Sequence, residues 1–106
     1  MSELSARLAL LAAQNQTIPY GDLARALNLP SPGAIGELTA MLEQMMDEDA
    51  ANDRPFRAAV CTARLSNNMP ALGFFEKAMQ LGYFDGTDQA GFVAAQRNAL
   101  FNLFNP

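Results

Sequence analysis

Apolar side chains recur at helical spacing near the N-terminus of the chain. Leu4, Leu8 and Leu11 stand at i, i+4 and i+7, which predicts a first helix with one apolar stripe. Ser2 precedes this stripe and is predicted to cap the helix, because a serine side chain accepts a hydrogen bond from a free N–H of the first turn. Ile18, which precedes a proline, is then expected in a short extended segment.

Two further helices are predicted before the middle of the chain. The first is short and ends before Pro30, because the residue before a proline is disfavoured in a helix. The next is predicted to start at Ser31 and Pro32, an N-cap followed by a first-turn proline, and to run to about Ala51. The expected core positions are Leu23, Ala24 and Leu27 in the short helix, and Ile35, Leu38, Leu42 and Met45 in the long one, widened by Ala34 and Met41.

The second half of the chain is predicted to hold one buried strand and two helices. Residues 56–63, FRAAVCTA, form an apolar run without clear alternation, which favours a strand buried on both faces. A fourth helix is expected to open at Pro70 and to close at Gly82, and a last helix to begin with Thr87 as cap and Asp88 in its first turn. The expected apolar faces are Ala71, Phe74, Phe75, Ala78 and Leu81 in the fourth helix, and two neighbouring stripes in the last one: Phe92, Ala95, Ala99 and Leu103 beside Val93, Leu100 and Phe104.

The order of these elements is that of a winged-helix domain: helix, short strand, helix, helix, strand. Residues 16–18 are available to pair with the later strand. A chain of 106 residues fits one hydrophobic core, and no repeat or linker interrupts it, so residues 1–106 are interpreted as a single domain. The predicted fold class is mainly α (α+β), with about five helices, one or two short strands and a winged-helix-like core.

The charges on the third helix disfavour DNA reading by that helix. Between Ser31 and Asn52 there is no lysine or arginine, whereas five carboxylates lie there, and carboxylates repel phosphates. The whole chain has seven basic and eleven acidic side chains, a net charge of −4, which also disfavours a nucleic-acid partner. The acidic run at Asp47, Glu48 and Asp49 is interpreted as a solvated face, because it lacks the ligand pattern of a calcium loop.

The composition excludes several classes of chemistry. The chain contains one cysteine and no histidine, which removes the usual zinc sites and every nucleophile pair that needs histidine. Neither a metal nor a cofactor is therefore expected. No apolar run approaches the roughly 18 residues of a membrane span, and the N-terminal segment lacks a signal-peptide pattern. The sequence thus predicts a cytoplasmic protein without membrane contact.

Four short motifs between residues 18 and 82 stand in the order of a known family. They are YGDLA at 20–24, GAIGEL at 33–38, AAVCTAR at 58–64 and GFFEKAMQLG at 73–82. In this order they resemble the C-terminal domain of the alkylguanine-DNA alkyltransferases and the alkyltransferase-like proteins. The resemblance implies a shared winged-helix scaffold.

The departures from that family fall on its functional residues. In the family, a histidine follows the reactive cysteine, and an arginine on the recognition helix fills the gap left by a flipped base. Here Thr62 follows Cys61, and no arginine stands near Gly33 or Ala34. The resemblance therefore implies no catalytic role for any residue, and a DNA-contacting role only for Tyr20.

Cys61 is interpreted as a packing residue. On a strand, Arg57 would share its face but lie about 13 Å away along the backbone, and Arg64 would point to the opposite face. Without a nearby cation or base nothing lowers the pKa of the thiol, and free cysteine is among the most buried residue types. A thiol-dependent enzyme with Cys61 as nucleophile is the weakest functional hypothesis.

Two other hypotheses for function stay open. The first is a non-enzymatic protein-interaction or regulatory module that binds another protein or a second copy of itself. Its predicted contacts are Met46, Phe101 and Phe104, because Met46 and the aromatic end of the chain are expected to add more apolar surface than five small helices can bury. The alternative is a nucleic-acid-binding protein. Arginines clustered on one exposed face would favour this function, and arginines scattered over the surface would argue against it. Its predicted contacts are Tyr20, Arg25, Arg54, Arg57 and Arg64.

Overall fold

Five α-helices dominate the computed structural model, which describes residues 3–105, so the predicted cap Ser2 lies outside the described residues. Two-residue strands pair into a small sheet, and a 3-10 helix, Arg57–Val60, leads into the second strand. The predicted fold class, mainly helical with a few strand residues, is confirmed. The elements are α1 (Glu3–Ala13), β1 (Ile18–Pro19), α2 (Tyr20–Ala26), α3 (Ala34–Ala51), β2 (Cys61–Thr62), α4 (Leu72–Gln80) and α5 (Gln89–Phe104).

The two strands pair in parallel, with Ile18 opposite Cys61 and Pro19 opposite Thr62. Of residues 16–18, which were predicted to pair with the later strand, only Ile18 does so. Because parallel strands end at the same edge of a sheet, the start of α2 and the loop after β2 are brought side by side. This edge positions the candidate site.

Residues 56–63 do not form the single buried strand that their composition predicts. Only Cys61–Thr62 is paired as a strand, and Arg57–Val60 is a 3-10 helix. The carboxylate of Asp49 accepts a hydrogen bond from the backbone N–H of Arg57 at 3.0 Å, and the N–H of Ala59 donates to the carbonyl of Phe56 at 3.1 Å. These local partners satisfy backbone groups that a strand would have to pair with a neighbouring strand.

The start of α3 also differs from the prediction. Gly33 has a left-handed backbone (φ 95°) at the N-cap position, so the helix begins at Ala34 rather than at Ser31 and Pro32. Ile35, expected in the core, is 48% exposed. The helix ends at Ala51 as predicted, and its buried residues are Leu38, Leu42, Met45, Met46 and Asp49.

The acidic run at the end of α3 is only partly solvated. Asp47 and Glu48 are exposed, but Asp49 is fully buried, which contradicts the prediction for this residue. Asp49 follows Leu38 by eleven residues, close to three helical turns, so the two side chains share one face of the helix. The buried stripe of α3 therefore ends in a carboxylate.

The fourth helix has the predicted face and end. Phe74, Phe75 and Ala78 are buried. Gly82 follows the helix with a φ of 82°, and the N–H of Tyr83 donates to the carbonyl of Ala78 at 3.0 Å, as in a Schellman cap. Six aromatic rings meet edge-on or tilted, with centroids 4.7 to 6.5 Å apart. They belong to Phe56, Phe74, Phe75, Tyr83, Phe84 and Phe92, of which Tyr83 is exposed at the edge of the cluster.

The last helix begins one residue later than predicted. Asp88, not Thr87, is its cap, and the Asp88 carboxylate accepts a hydrogen bond from the N–H of Gly91 at 3.0 Å. Of the two predicted stripes, the one with Val93, Leu100 and Phe104 is buried at Val93 and Leu100 but exposed at Phe104. The other is mostly exposed at Ala95, Ala99 and Leu103. None of the helices within residues 3–105 is both long enough and apolar enough to cross a membrane.

Candidate functional site

A groove of about 790 Å³ lies at the edge of the sheet where β1 and β2 end. We call it the strand-end groove. It runs between the N-terminal turns of α2 and α3 on one side and the loop that follows β2 on the other. Its lining consists of residues 19–22, Arg25, Ile35, residues 62–68 and Ala71.

Hydrogen bonds hold the loop after β2 in one shape. The N–H of Ala63 donates to the carbonyl of Met69 at 2.8 Å, and the Ser66 hydroxyl lies 2.5 and 2.6 Å from the carbonyls of these same two residues. Arg97, on α5, donates from its guanidinium to the carbonyl of Asn68 at 2.9 Å. The loop is thus closed on itself and anchored to the helix behind it.

This loop presents a leucine to solvent. Leu65 is 97% exposed and has a φ of 58°, in the left-handed region that is uncommon for residues other than glycine. Placing a leucine there costs about 1–2 kcal/mol, and the exposed side chain recovers none of this by burial within the domain. Ile35 lines the same groove and is 48% exposed, so two aliphatic side chains border one cavity.

The charged side chains of the strand-end groove are mostly basic. Arg25 forms an ion pair with Asp22, whereas Arg64 is exposed and has no ion pair within residues 3–105. Arg97 supports the loop from behind, and its guanidinium donates hydrogen bonds to the carbonyls of Ala59 and Asn68. The groove therefore has a net positive charge on a protein whose overall charge is −4.

Tyr20 lies at the floor of the strand-end groove. Its hydroxyl oxygen accepts a hydrogen bond from the N–H of Ala71 at 3.0 Å, which ties α2 to the segment before α4. Burial raises the pKa of Tyr20 to about 12, against smaller lowering effects of this hydrogen bond and of Arg97. The phenol is consequently neutral at physiological pH and can act as a hydrogen-bond donor.

The five residues predicted for nucleic-acid contact divide into two groups. Tyr20, Arg25 and Arg64 line the strand-end groove. Arg54 and Arg57 lie elsewhere, on the carboxylate of Asp49. The four arginines therefore do not form one exposed face, which was the arrangement that would favour nucleic-acid binding.

Arg57 forms a buried ion pair with Asp49. Its side chain is only 16% exposed, and its Nε donates to Asp49 at 2.9 Å while its Nη1 donates to the hydroxyl of Ser5 at 2.9 Å. Arg54 approaches the same carboxylate at 3.3 Å. These contacts join the end of α3, the 3-10 helix and α1, so the role of Arg57 is to hold three elements together.

The residues predicted for partner binding are also separated. Met46 is 1% exposed and belongs to the core, so its placement on a binding surface is wrong. Phe101 is partly buried against that core, and Phe104 is 36% exposed. Phe104 and Leu103, which is 56% exposed, border a smaller groove of about 200 Å³ above the Asp49–Arg57 ion pair.

Cys61 is fully buried on β2, as its packing interpretation predicts. Burial raises the pKa of its thiol to about 12, and the guanidinium of Arg97 only partly opposes this. The thiol is therefore protonated at neutral pH. Strand pairing places it opposite Ile18, at the end of β2 farther from the groove.

Three residues of the groove region escaped the sequence analysis: Leu65, Arg97 and, as a surface residue, Ile35. One usable signal was Arg97, the only charged residue of α5, because a lone arginine among apolar and small residues indicates a buried or structural contact. Asn67 and Asn68 were a second signal, since asparagine tolerates the left-handed conformation that both adopt.

The described part of the chain, residues 3–105, contains no group of three or more acidic or cysteine side chains placed to hold a metal ion. Two of its exposed aliphatic residues, Ile35 and Leu65, and two of its arginines, Arg25 and Arg64, line the strand-end groove. Comparisons with protein-family models, curated proteins and solved structures give no match to this chain.

Proposed function

We propose that this protein is a non-enzymatic, cytoplasmic protein-interaction or regulatory module that receives a partner in the strand-end groove. The observation that carries the proposal is the exposed Leu65 on a loop that hydrogen bonds hold rigid, next to the exposed Ile35. Apolar groups held in place at a surface concavity are typical of binding sites, because they are desolvated at little entropic cost when a partner covers them.

The scaffold of this module is winged-helix-like. The order α1, β1, α2, α3, β2 and the pairing of β1 with β2 support this proposal. On such a scaffold, the exposed side of α3 has Glu37, Asp47 and Glu48 and no basic residue, which suits contact with protein better than contact with a phosphate backbone.

An affinity capture experiment tests the proposed function. The full chain is immobilised as wild type, as the double variant Leu65→Ser with Ile35→Ser, and as the control Leu72→Ser. Leu72 is 66% exposed on α4 and does not line the groove. We expect the same protein from the native cell to be retained by wild type and control and lost with the double variant. Equal retention by all three, or by none, overturns the proposal.

Urea unfolding of the three proteins shows whether a loss of capture results from unfolding of the variant. All three substituted side chains are exposed, so each variant should unfold within about 0.5 kcal/mol of wild type per substitution. A loss of capture without a loss of stability then reports on the surface and not on folding.

Nucleic-acid binding is the second candidate function, favoured by one observation: Tyr20, Arg25 and Arg64 share the strand-end groove. Two arginine–phosphate contacts would give a slope of roughly −1.4 for single strands in a plot of log affinity against log salt concentration. Oligonucleotide binding with such a slope, lost on Arg25→Gln and Arg64→Gln, would support this function. Absence of binding at low salt would exclude it.

A further inference from the structure

We infer that the occupant of the strand-end groove is an extended acidic peptide segment that contains an aliphatic side chain and belongs to a different protein. The inference rests on the proposed function and adds the chemistry of the partner. It depends on three properties of the groove: its charge, its apolar border and its size.

The charge of the groove is opposite to that of the rest of the molecule. Of the seven basic and eleven acidic side chains of the chain, the groove lining holds two basic ones, Arg25 and Arg64, and one acidic one, Asp22. Arg97 adds a third cation behind the loop, bonded to backbone carbonyls. A carboxylate-bearing segment is attracted to this site, whereas a second copy of this chain, with its net charge of −4, is repelled overall.

The border of the groove selects an aliphatic side chain. Leu65 and Ile35 line the groove and are exposed, so an aliphatic side chain of the partner that packs against them removes apolar surface from water. Unpaired nucleotides would instead need aromatic rings on which to stack. The aromatic residue of the lining is Tyr20, which is partly buried and tied to Ala71 through its hydroxyl. The lining therefore fits a peptide better than a nucleic acid.

The size of the groove limits the occupant to a short segment. Its volume of about 790 Å³ falls within the range of roughly 300–1,000 Å³ typical of pockets for small ligands. A few residues of extended chain can enter it, but a folded domain cannot. Tyr20 and the free N–H and carbonyl groups of such a segment can then form hydrogen bonds at the floor.

Peptide titrations followed by fluorescence anisotropy test this inference with the full chain. The probes are three short fluorescein-labelled peptides in which leucine alternates with glutamate, glutamine or lysine, together with a labelled single-stranded oligonucleotide. We expect the glutamate peptide to bind about tenfold more tightly than the glutamine peptide, equivalent to about 1.4 kcal/mol, and the lysine peptide to bind more weakly still. Higher ionic strength should reduce this preference.

Substitutions locate the binding. Arg25→Gln and Arg64→Gln together should remove the preference for glutamate, and Leu65→Ser should weaken binding of the glutamate and glutamine peptides alike. Arg7→Gln is the matched control, because Arg7 is an exposed arginine on α1, outside the groove, and forms an ion pair with Glu3 as Arg25 does with Asp22. It should leave all affinities unchanged.

Several results would overturn the inference. These are no binding of any peptide up to millimolar concentration, equal binding of the glutamate and glutamine peptides, a preference that survives the arginine substitutions, or tighter binding of the oligonucleotide. Its failure remains distinct from failure of the proposed function. If Leu65 and Ile35 are needed to capture a protein but the peptides show no charge preference, the groove binds a partner of other chemistry.

Discussion

Asp49 and Arg57 are joined twice: the buried carboxylate of Asp49 accepts hydrogen bonds from the side-chain Nε of Arg57 at 2.9 Å and from its backbone N–H at 3.0 Å. The side chain of Asp49 has no exposed surface. The pair fixes the 3-10 helix against the end of α3, and thereby sets where β2 begins beside β1. The strand-end groove depends on this placement.

Asp49→Asn should strongly destabilise the fold. It removes the buried carboxylate that pairs with Arg57 and leaves this largely buried guanidinium, in the described part of the chain, only the exposed carboxylate of Glu48 at 3.9 Å; breaking a buried pair costs about 3–5 kcal/mol. Urea unfolding measures the change. Asp47→Asn is the control in the same helix, because the Asp47 side chain is 55% exposed and its pair with Lys77 should contribute at most about 1 kcal/mol. Equal effects of the two substitutions would contradict the structural role of Asp49.

Cys61 should resist thiol reagents while the protein is folded. The side chain is fully buried, and its pKa of about 12 leaves roughly one thiol in ten thousand ionised near pH 8. Ellman's reagent should therefore modify the urea-unfolded chain quickly and the folded chain only slowly. A variant that combines Cys61→Ala with Leu72→Cys provides an exposed thiol for comparison. Reaction of Cys61 as fast as that thiol would contradict its burial.

The free energy of unfolding should fall at alkaline pH. The pKa of Cys61 rises from 9.0 to about 12 on folding and that of Tyr20 from 10.0 to about 12. Both groups thus hold their protons more tightly when folded, so their contribution is complete below pH 9 and is lost as the pH rises towards 12. Each lowers the free energy by about 1.4 kcal/mol per pH unit between its two values.

Urea unfolding at a series of pH values measures this loss. In Cys61→Ala, the decrease between pH 9 and pH 10 should become much smaller, because Tyr20 begins to contribute only above pH 10. A decrease of the same size in the variant and in wild type would show that the thiol is not its source.

Two glycine substitutions should change stability in opposite directions. An added Cβ meets no atom within 4 Å at Gly82 or at Gly36, so only the backbone differs. Gly82→Ala forces alanine into a φ of 82° and should destabilise by about 1–2 kcal/mol. Gly36→Ala, in the first turns of α3, should stabilise by about 0.5–1 kcal/mol. Urea unfolding measures whether each substitution raises or lowers the free energy of unfolding. Stabilisation by Gly82→Ala would contradict the left-handed conformation of Gly82 at the end of α4.

Features set by neighbouring residues were readable from the sequence. The spacing of Leu4 and Leu8 gives α1 its buried face, Gly82 closes α4, and the apolar run around Cys61 predicts its burial. Each depends on periodicity or on a cap within a few positions, where backbone geometry alone decides the outcome.

The candidate site was less readable, because its parts are distant in sequence. Tyr20 and Arg64 were singled out individually, but only the pairing of β1 with β2 places them in one groove. The loop that presents Leu65 is anchored at Asn68 by Arg97 and by the Thr17 hydroxyl, which are 29 and 51 residues away in the sequence. Periodicity cannot indicate such contacts.

The sequence by itself determined the helical class, most of the core and the inert setting of Cys61, since these follow from local spacing and from the absence of histidine. The tertiary structure decided that Asp49 is buried, which stripe of α5 faces the core and that Leu65 and Ile35 border one groove. The reason is physical: helix propensity and periodicity are the same whether a carboxylate at a helix end, or a second apolar stripe, is buried in the core or exposed to solvent. Partners from other elements, such as Arg57 for Asp49, decide between the two.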